Sequence, residues 1–187
     1  MSTANRLVAF LSRPAVFAAA ALAFVAFGAA VLPVMSARSA GYTPDGGAFD
    51  TGFFYTPAEA LAKVAAYDDA GRAAYTRDRW TFDLAFPAVY GFFMLSAWAF
   101  SLRALAGDRA RFRWLLVPIL GIAFDLVENT AVTALMLSFP PGSMAAAVAS
   151  SLGSALKWVF VGAGFAGSLS LPAAALVVFL VRRTRRT

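Results

Sequence analysis

The sequence predicts an all-α fold: a four-transmembrane-helix bundle with an extracytoplasmic helical cap between helices 1 and 2. Three observations predict it. Hydrophobic residues make up 60% of the 187 residues and charged residues only 14%, whereas a soluble domain carries about 25% charged residues. Four apolar segments stand out, roughly 14–36, 81–104, 114–139 and 143–182. Each is long enough to cross about 30 Å of hydrocarbon. The third observation is a helix-start signal in the connection 37–80, between the first two segments. The whole chain reads as one membrane domain.

The first segment follows Arg6 and Arg13 and precedes small residues at Ser36–Ala40, as a signal peptide would. Its apolar stretch exceeds the 7–15 residues or so of a signal-peptide core. It is therefore expected to remain as an anchor.

Basic residues sort by loop. Arg6 and Arg13 precede the first span. Arg103, Arg109, Arg111 and Arg113 surround the second loop, and Arg182, Arg183, Arg185 and Arg186 follow the fourth span. Connection 37–80 instead mixes Arg38, Lys63, Arg72, Arg77 and Arg79 with Asp45, Asp50, Glu59, Asp68, Asp69 and Asp78. The positive-inside rule then puts both termini in the cytoplasm and this connection outside a cell (inner) membrane. The net charge of +6 is the sum of the cytoplasmic flanks. Those flanks suit anionic headgroups and, lacking a soluble domain or aromatic platform, predict no nucleic-acid partner.

The chain contains neither cysteine nor histidine. That excludes thiol redox chemistry, disulfides, imidazole acid–base work and most zinc or haem ligation. No metal and no cofactor are expected.

In the outer connection, Thr56-Pro57-Ala58-Glu59 combines an N-cap Thr, a Pro at the first helical position and a Glu three residues after the cap. This is a capping box. It predicts a helix over about 57–70, with Ala58, Leu61, Val64 and Ala65 on one face and Gly71 ending it. A second helical stretch, Arg72–Trp80, leads into span two, with Tyr67, Tyr75 and Trp80 suited to the membrane–water boundary. Pro140-Pro141 ends span three. The fourth segment, Ser143–Val181, is about 58 Å long at 1.5 Å per residue, too long for one crossing. Its first ten or so residues are expected to stand outside and pack on the loop. Gly162, Gly164, Gly167 and Pro172 allow a bend. Ala163, Gly164, Gly167 and Ser168 form small-xxx-small pairs, read chiefly as packing within the bundle.

The sharpest clue is a group of polar residues inside span three: Asp125, Glu128 and Asn129. Their i, i+3, i+4 spacing gives one helical face. A charge near the membrane centre costs at least about 2.5–3.5 kcal/mol, so such residues turn to protein or a water-filled cavity. At 1.5 Å per residue, Asp125 lies about 18 Å above Arg113 and Glu128 about 22 Å. Asp83, Pro87, Tyr90 and Met94 form a stripe on span two. Ser150, Ser154, Lys157, Val161 and Gly164 form one on span four. Three stripes at one height predict a common cluster, roofed by Arg72, Arg77 and Arg79, with Pro87 kinking its helix and freeing a carbonyl. The candidate binding residues are Arg72, Tyr75, Asp83, Tyr90, Asp125, Glu128, Asn129 and Lys157; no catalytic residue can be named.

The stretch Gly71-Arg72-Ala73-Ala74-Tyr75, then Asp83, then Phe86-Pro87-Ala88-Val89-Tyr90, then Asp125-Leu126-Val127-Glu128-Asn129 resembles a pattern in small bacterial four-helix integral membrane proteins: GRxxY…D…FPxxY…DxxEN. It covers roughly residues 55–130. The resemblance groups these residues and implies no substrate or reaction.

Three explanations of the cluster stay open. It can be structural, locking the loop onto the bundle by ion pairs. It can be a pocket for a small polar or amphipathic molecule. It can serve catalysis or proton-coupled transport, since two carboxylates one turn apart repel and one of them would then hold a proton. Tyr75 and Tyr90 are expected to pack with a hydroxyl hydrogen bond, and Met94 and Met136 to lie in the core. Expected partners are membrane lipids, a small-molecule ligand, and a membrane-protein partner or second copy of the chain. The rival to a pocket protein is a scaffold or accessory subunit of a larger membrane complex.

Overall fold

A computed structural model of the chain describes residues 3–45, 48–49, 52–107 and 112–185. Asp50, Arg109, Arg111 and Arg186, used in the charge pattern, lie outside the described residues. Among the described residues the structure is mostly helical, with no strand. In chain order it runs α1 (Thr3–Leu11), α2 (Pro14–Ala30), α3 (Leu32–Ala40), α4 (Pro57–Ala66), α5 (Asp69–Arg79), α6 (Phe82–Ala106), a 3₁₀ turn (Phe112–Leu115), α7 (Leu116–Leu137) and α8 (Met144–Thr184). Four stretches, Pro14–Ala40, Asp69–Ala106, Phe112–Leu137 and Met144–Thr184, are long and apolar enough to cross a membrane.

The first apolar segment is two helices rather than one. Val31 separates α2 from α3, and Pro33 near the start of α3 can give no backbone hydrogen bond to the turn before it. α2 packs on α6 through stacked rings: Phe17 on Phe93 and Phe100, Phe24 on Phe93, and Phe27 on Phe82 and Phe86. Before it, α1 is an amphipathic helix that sequence reading took for a bare basic flank. Val8 and Leu11 are buried with Ala99, Leu102 and Leu115, while Leu7 and Phe10 stay exposed.

α4 begins at the predicted point. Thr56 Oγ1 accepts from Glu59 N (3.2 Å) and Glu59 Oε2 accepts from Thr56 N (2.7 Å), so both arms of the capping box form. The end of α4 differs from expectation. The helix stops at Ala66, Tyr67 turns extended, and Asp68 caps α5 by accepting from Gly71 N at 2.6 Å. Gly71 therefore sits in the first turn of the next helix. A Cβ there would stand 3.0 Å from Asp68 Oδ1 and 3.2 Å from the Tyr42 carbonyl, so a glycine suits the close corner. The buried face of α4 is Ala60 and Val64 with Leu61 at its edge; Ala58 and Ala65 are exposed. Tyr67 and Tyr75 are buried with Phe49, Tyr55, Val132 and Leu135. Trp80 alone of the three is exposed, its Nε1 donating to Thr133 Oγ1 at 3.0 Å.

α8 is one continuous helix that contains Pro172. Its first part packs on α4 and α7. Ser151 Oγ donates to the Tyr55 carbonyl and Ser154 Oγ to the Gly52 carbonyl. The most extensive helix contact is between α7 and α8. A Cβ on Gly153 would lie 3.1 Å from Glu128 N and 3.2 Å from Glu128 Cα, and one on Gly121 would lie 3.1–3.3 Å from Val161 and the Phe160 carbonyl carbon. Gly164 and Gly167 face Met94 and Trp98 of α6, so this part of the small-residue pattern serves the bundle interior. Met94 and Met136 are both buried.

Two outcomes follow from this packing. Gly153→Ala should lower the melting temperature in detergent, because helix backbones must separate; overpacking costs about 1–3 kcal/mol. Gly162→Ala, whose Cβ would meet open space, should not. Equal behaviour of the two variants would refute close backbone contact at Gly153.

The capping box titrates. Hydrogen bonds from the Thr56 backbone and hydroxyl hold the Glu59 carboxyl below its ordinary value of 4.5. A carboxylate held low contributes stability that is present above that ordinary value and disappears as pH falls through the lowered folded value. Proteolysis of the cap should accelerate over that acid range, and Glu59→Gln should flatten the pH response. Thr56→Ala should weaken the start of α4 by about 1 kcal/mol near neutral pH.

Candidate functional site

The cluster is assembled by five segments, each bringing one to three polar groups. α7 contributes Asp125, Glu128 and Asn129, all buried, the last two fully. α8 passes at Gly153, and one turn further on Lys157 reaches them. Its Nζ contacts Glu128 Oε2 directly and stands 3.8 Å from Asp125 Oδ1. α6 adds Tyr90, whose hydroxyl donates to Asp125 Oδ2 at 2.6 Å. From the chain before α4, Tyr55 donates its hydroxyl to Glu128 Oε1 at 3.3 Å. Burial, then the negative charge of Glu128, pushes the Tyr55 hydroxyl well above its ordinary value of 10.0. It therefore stays a donor at neutral pH.

The repulsion expected between Asp125 and Glu128 is met by a cation. Lys157 contacts Glu128 directly and stands 3.8 Å from Asp125, so its charge offsets part of that repulsion.

Arg79, at the end of α5, forms the outer tier. It is only 3% exposed. Nη1 pairs with Asp83 Oδ2 at 2.9 Å and donates to Asn129 Oδ1 at 2.9 Å, while Nη2 donates to the Tyr75 hydroxyl. Its guanidinium also lies over the Tyr75 ring. Pro87 has no N–H for the carbonyl four residues back, which is that of Asp83. Asn129 Nδ2 stands 3.4 Å from that carbonyl. The freed carbonyl foreseen at Pro87 is thus satisfied from α7, and α6 continues through Pro87 as one helix.

A cavity of about 110 Å³ opens beside these groups, lined by Arg79, Asp83, Phe86, Tyr90, Asp125 and Lys157 together with Pro87, Trp158 and Val161. Next to it lies a larger groove of about 350 Å³ between α3 and the α5–α6 junction. Its walls include Leu32, Met35, Ser39, Tyr42, Asp78 and Phe82. Arg79 and Asp83 line both spaces, so their ion pair is the partition. At the groove, Asp78 accepts from the Tyr42 hydroxyl at 3.0 Å and pairs with Arg38 at 2.9 Å and Arg77 at 3.4 Å. Burial first, with Asp78 adding, pushes the Tyr42 hydroxyl up to about 12.

Of the eight candidate residues, six meet here: Asp83, Tyr90, Asp125, Glu128, Asn129 and Lys157. Tyr75 touches Arg79 and lines the groove. Arg72 does not belong. It bonds the Tyr67 carbonyl and Asp69 and lies over the Phe139 ring. Its place in the first turn of α5, set by the Asp68 cap, turns it to the α4–α5 corner. Arg77 is exposed beside Asp78, so of three expected roofing arginines only Arg79 does the work. Glu128 and Asn129 sit behind the cavity wall rather than lining it. Tyr55, Phe86 and Trp158 were missed. Phe86 stood in the FPxxY stretch and Trp158 beside Lys157, but nothing near Tyr55 signals its docking on Glu128.

By length and composition of its helices the chain is an all-α, multi-pass membrane protein. No protein-family model matches it, and no curated protein or solved structure matches it either.

Glu128 is the sensitive point. Glu128→Gln should lower the melting temperature, since it leaves Lys157 with one carboxylate at a longer distance; breaking a buried pair costs about 3–5 kcal/mol. Adding Lys157→Met should restore most of the loss. Full stability of the single variant in a detergent melt would show that the pair contributes nothing to the fold.

Proposed function

We propose that this is a multi-pass protein of the cell (inner) membrane, both termini cytoplasmic, with a pocket open to the outside that binds a small polar or amphipathic molecule. The observation that carries the reading is the cavity itself. A cluster serving only as an internal lock has no need of a void, yet about 110 Å³ lies against Asp83, Tyr90, Asp125, Arg79 and Lys157. The adjoining groove supplies apolar walls at Leu32, Met35 and Phe82 beside its polar ones, which suits an amphipathic molecule.

The orientation is supported by charge. Arg6, Arg13, Arg103, Arg113, Arg182, Arg183 and Arg185 flank one set of helix ends. The described carboxylates belong to the other ends and to the cluster. Under the positive-inside rule, the groove then opens away from the cytoplasm.

The scaffold reading draws on α8, whose Leu169, Leu176, Val177, Phe179 and Leu180 are exposed. A partner subunit would cover such a face, as would lipid.

Native mass spectrometry after mild extraction separates the readings. A pocket protein should carry a bound small molecule or lipid that is lost on Asp83→Leu. A scaffold should carry a second protein chain and no small ligand. Topology is checked on the Cys-free background: Asp45→Cys should react with an impermeant thiol reagent applied to intact cells, and reaction only after the membrane is breached would reverse the orientation.

A further inference from the structure

The pairing of charges around the inner cavity is uneven, and the unevenness selects a ligand. Among the described residues, Arg79 pairs with Asp83, and Lys157 makes its close contact with Glu128. That leaves three carboxylates, Asp83, Asp125 and Glu128, against two cations, a formal surplus of one negative charge. Asp125 has the weakest compensation. Its nearest cation is Lys157 at 3.8 Å, already committed to Glu128, and its other partner is the neutral Tyr90 hydroxyl. Arg38 and Arg77 do not redress this. They sit on Asp78 with side chains 46% and 58% exposed, where water screens them.

Asp125 is buried, 8% exposed, and it lines the cavity. A buried carboxylate with a shared cation favours a further positive charge far more than one in water does. The remaining walls fit such a charge. Phe86, Tyr90 and Trp158 line the same cavity, and aromatic faces attract ammonium groups within about 6 Å. The Lys157 ammonium already lies 5.3 Å from the Trp158 ring. The volume is small: at about 30 Å³ for a water-sized group, 110 Å³ holds about four non-hydrogen atoms. A longer apolar tail would have to pass the Arg79–Asp83 partition into the groove, against Leu32, Met35 and Phe82.

We propose that the inner cavity is a site for a small organic monocation, an alkylammonium head seated on Asp125 against the Tyr90 and Trp158 rings. Any longer apolar tail extends into the groove beside α3. The proposal rests on the pocket reading above and names its ligand class.

The test uses the full-length protein in detergent with n-butylammonium chloride as probe. Sodium butyrate and n-butanol serve as controls of the same chain length, and sodium chloride balances ionic strength. Calorimetric titration and thermal melting are both read. n-Butylammonium should bind and raise the melting temperature, while butyrate and butanol should do neither. Asp125→Asn should weaken the amine roughly 10- to 100-fold, the factor for losing a charged hydrogen-bond partner. Should Asp125→Asn fail to fold, Trp158→Leu, at an exposed wall position, should still melt cooperatively and bind the amine more weakly. Binding of butyrate or butanol as tight as that of the amine would overturn the cation assignment and leave the pocket reading standing. So would a bound small molecule in native mass spectrometry together with no response to the amine. No response to any probe, with no small molecule carried by the extracted protein, would overturn both.

Discussion

The close crossing of α7 and α8 governs the rest of the structure. Gly153 brings the α8 backbone so near the Glu128 backbone that an added Cβ would stand only 3.1–3.2 Å from it. At that separation a residue one turn along α8 lands on the α7 polar face, and that residue is Lys157. Without the pair, Glu128 would be a fully buried charge with only the Tyr55 hydroxyl for company, which costs several kcal/mol. With it, the chain before α4 gains a fixed anchor, because Tyr55 has a charged acceptor deep in the bundle. The loop is further tied to α8 by Ser151 and Ser154. Local order in the chain leading into α4 thus depends on a helix crossing far from it in sequence.

Arg79 plays the corresponding part at the outer tier. It joins α5 to α6 through Asp83 and to α7 through Asn129. Asn129 in turn answers the carbonyl that Pro87 leaves open. A proline inside a helix ordinarily forfeits a hydrogen bond; here the amide of a neighbouring helix replaces it. The arrangement fixes the rotation of α6 about its axis, since only one face can show both Asp83 and the bare carbonyl to Asn129. Tyr90, two turns along the same face, then reaches Asp125.

The two tiers divide the polar space unequally. The inner cavity is small and walled by charged and aromatic groups. The outer groove is larger, with one wall made by α3, a short helix set off from α2 at Val31. α2 is held chiefly by stacked phenylalanines on α6, contacts that depend on dispersion. The partition between the tiers is one ion pair, Arg79–Asp83, at the place where both spaces meet. A ligand entering from the groove would meet that pair first and Asp125 second.

What the sequence determined by itself was the set of local signals. Long apolar runs, the Thr56–Glu59 box, the i, i+3, i+4 spacing of Asp125, Glu128 and Asn129, and the three polar stripes are all patterns within one segment. The physics that reads them, helical periodicity and the cost of burying charge, needs no partner. Pro87 and its freed carbonyl were legible for the same reason. Tertiary structure decided everything that depends on which segment answers which. It set Lys157 beside the Asp125–Glu128 pair, and chose Arg79 over Arg72 and Arg77. It also turned Gly71 from the end of one helix into the first turn of the next, because Asp68 offered a better cap than Gly71 offered a stop. It split the first span at Val31 and folded the segment before it into α1. Above all it left a void beside Asp125: spacing along a helix fixes which groups share a face, but only the approach of neighbouring helices fixes whether the space between them is filled.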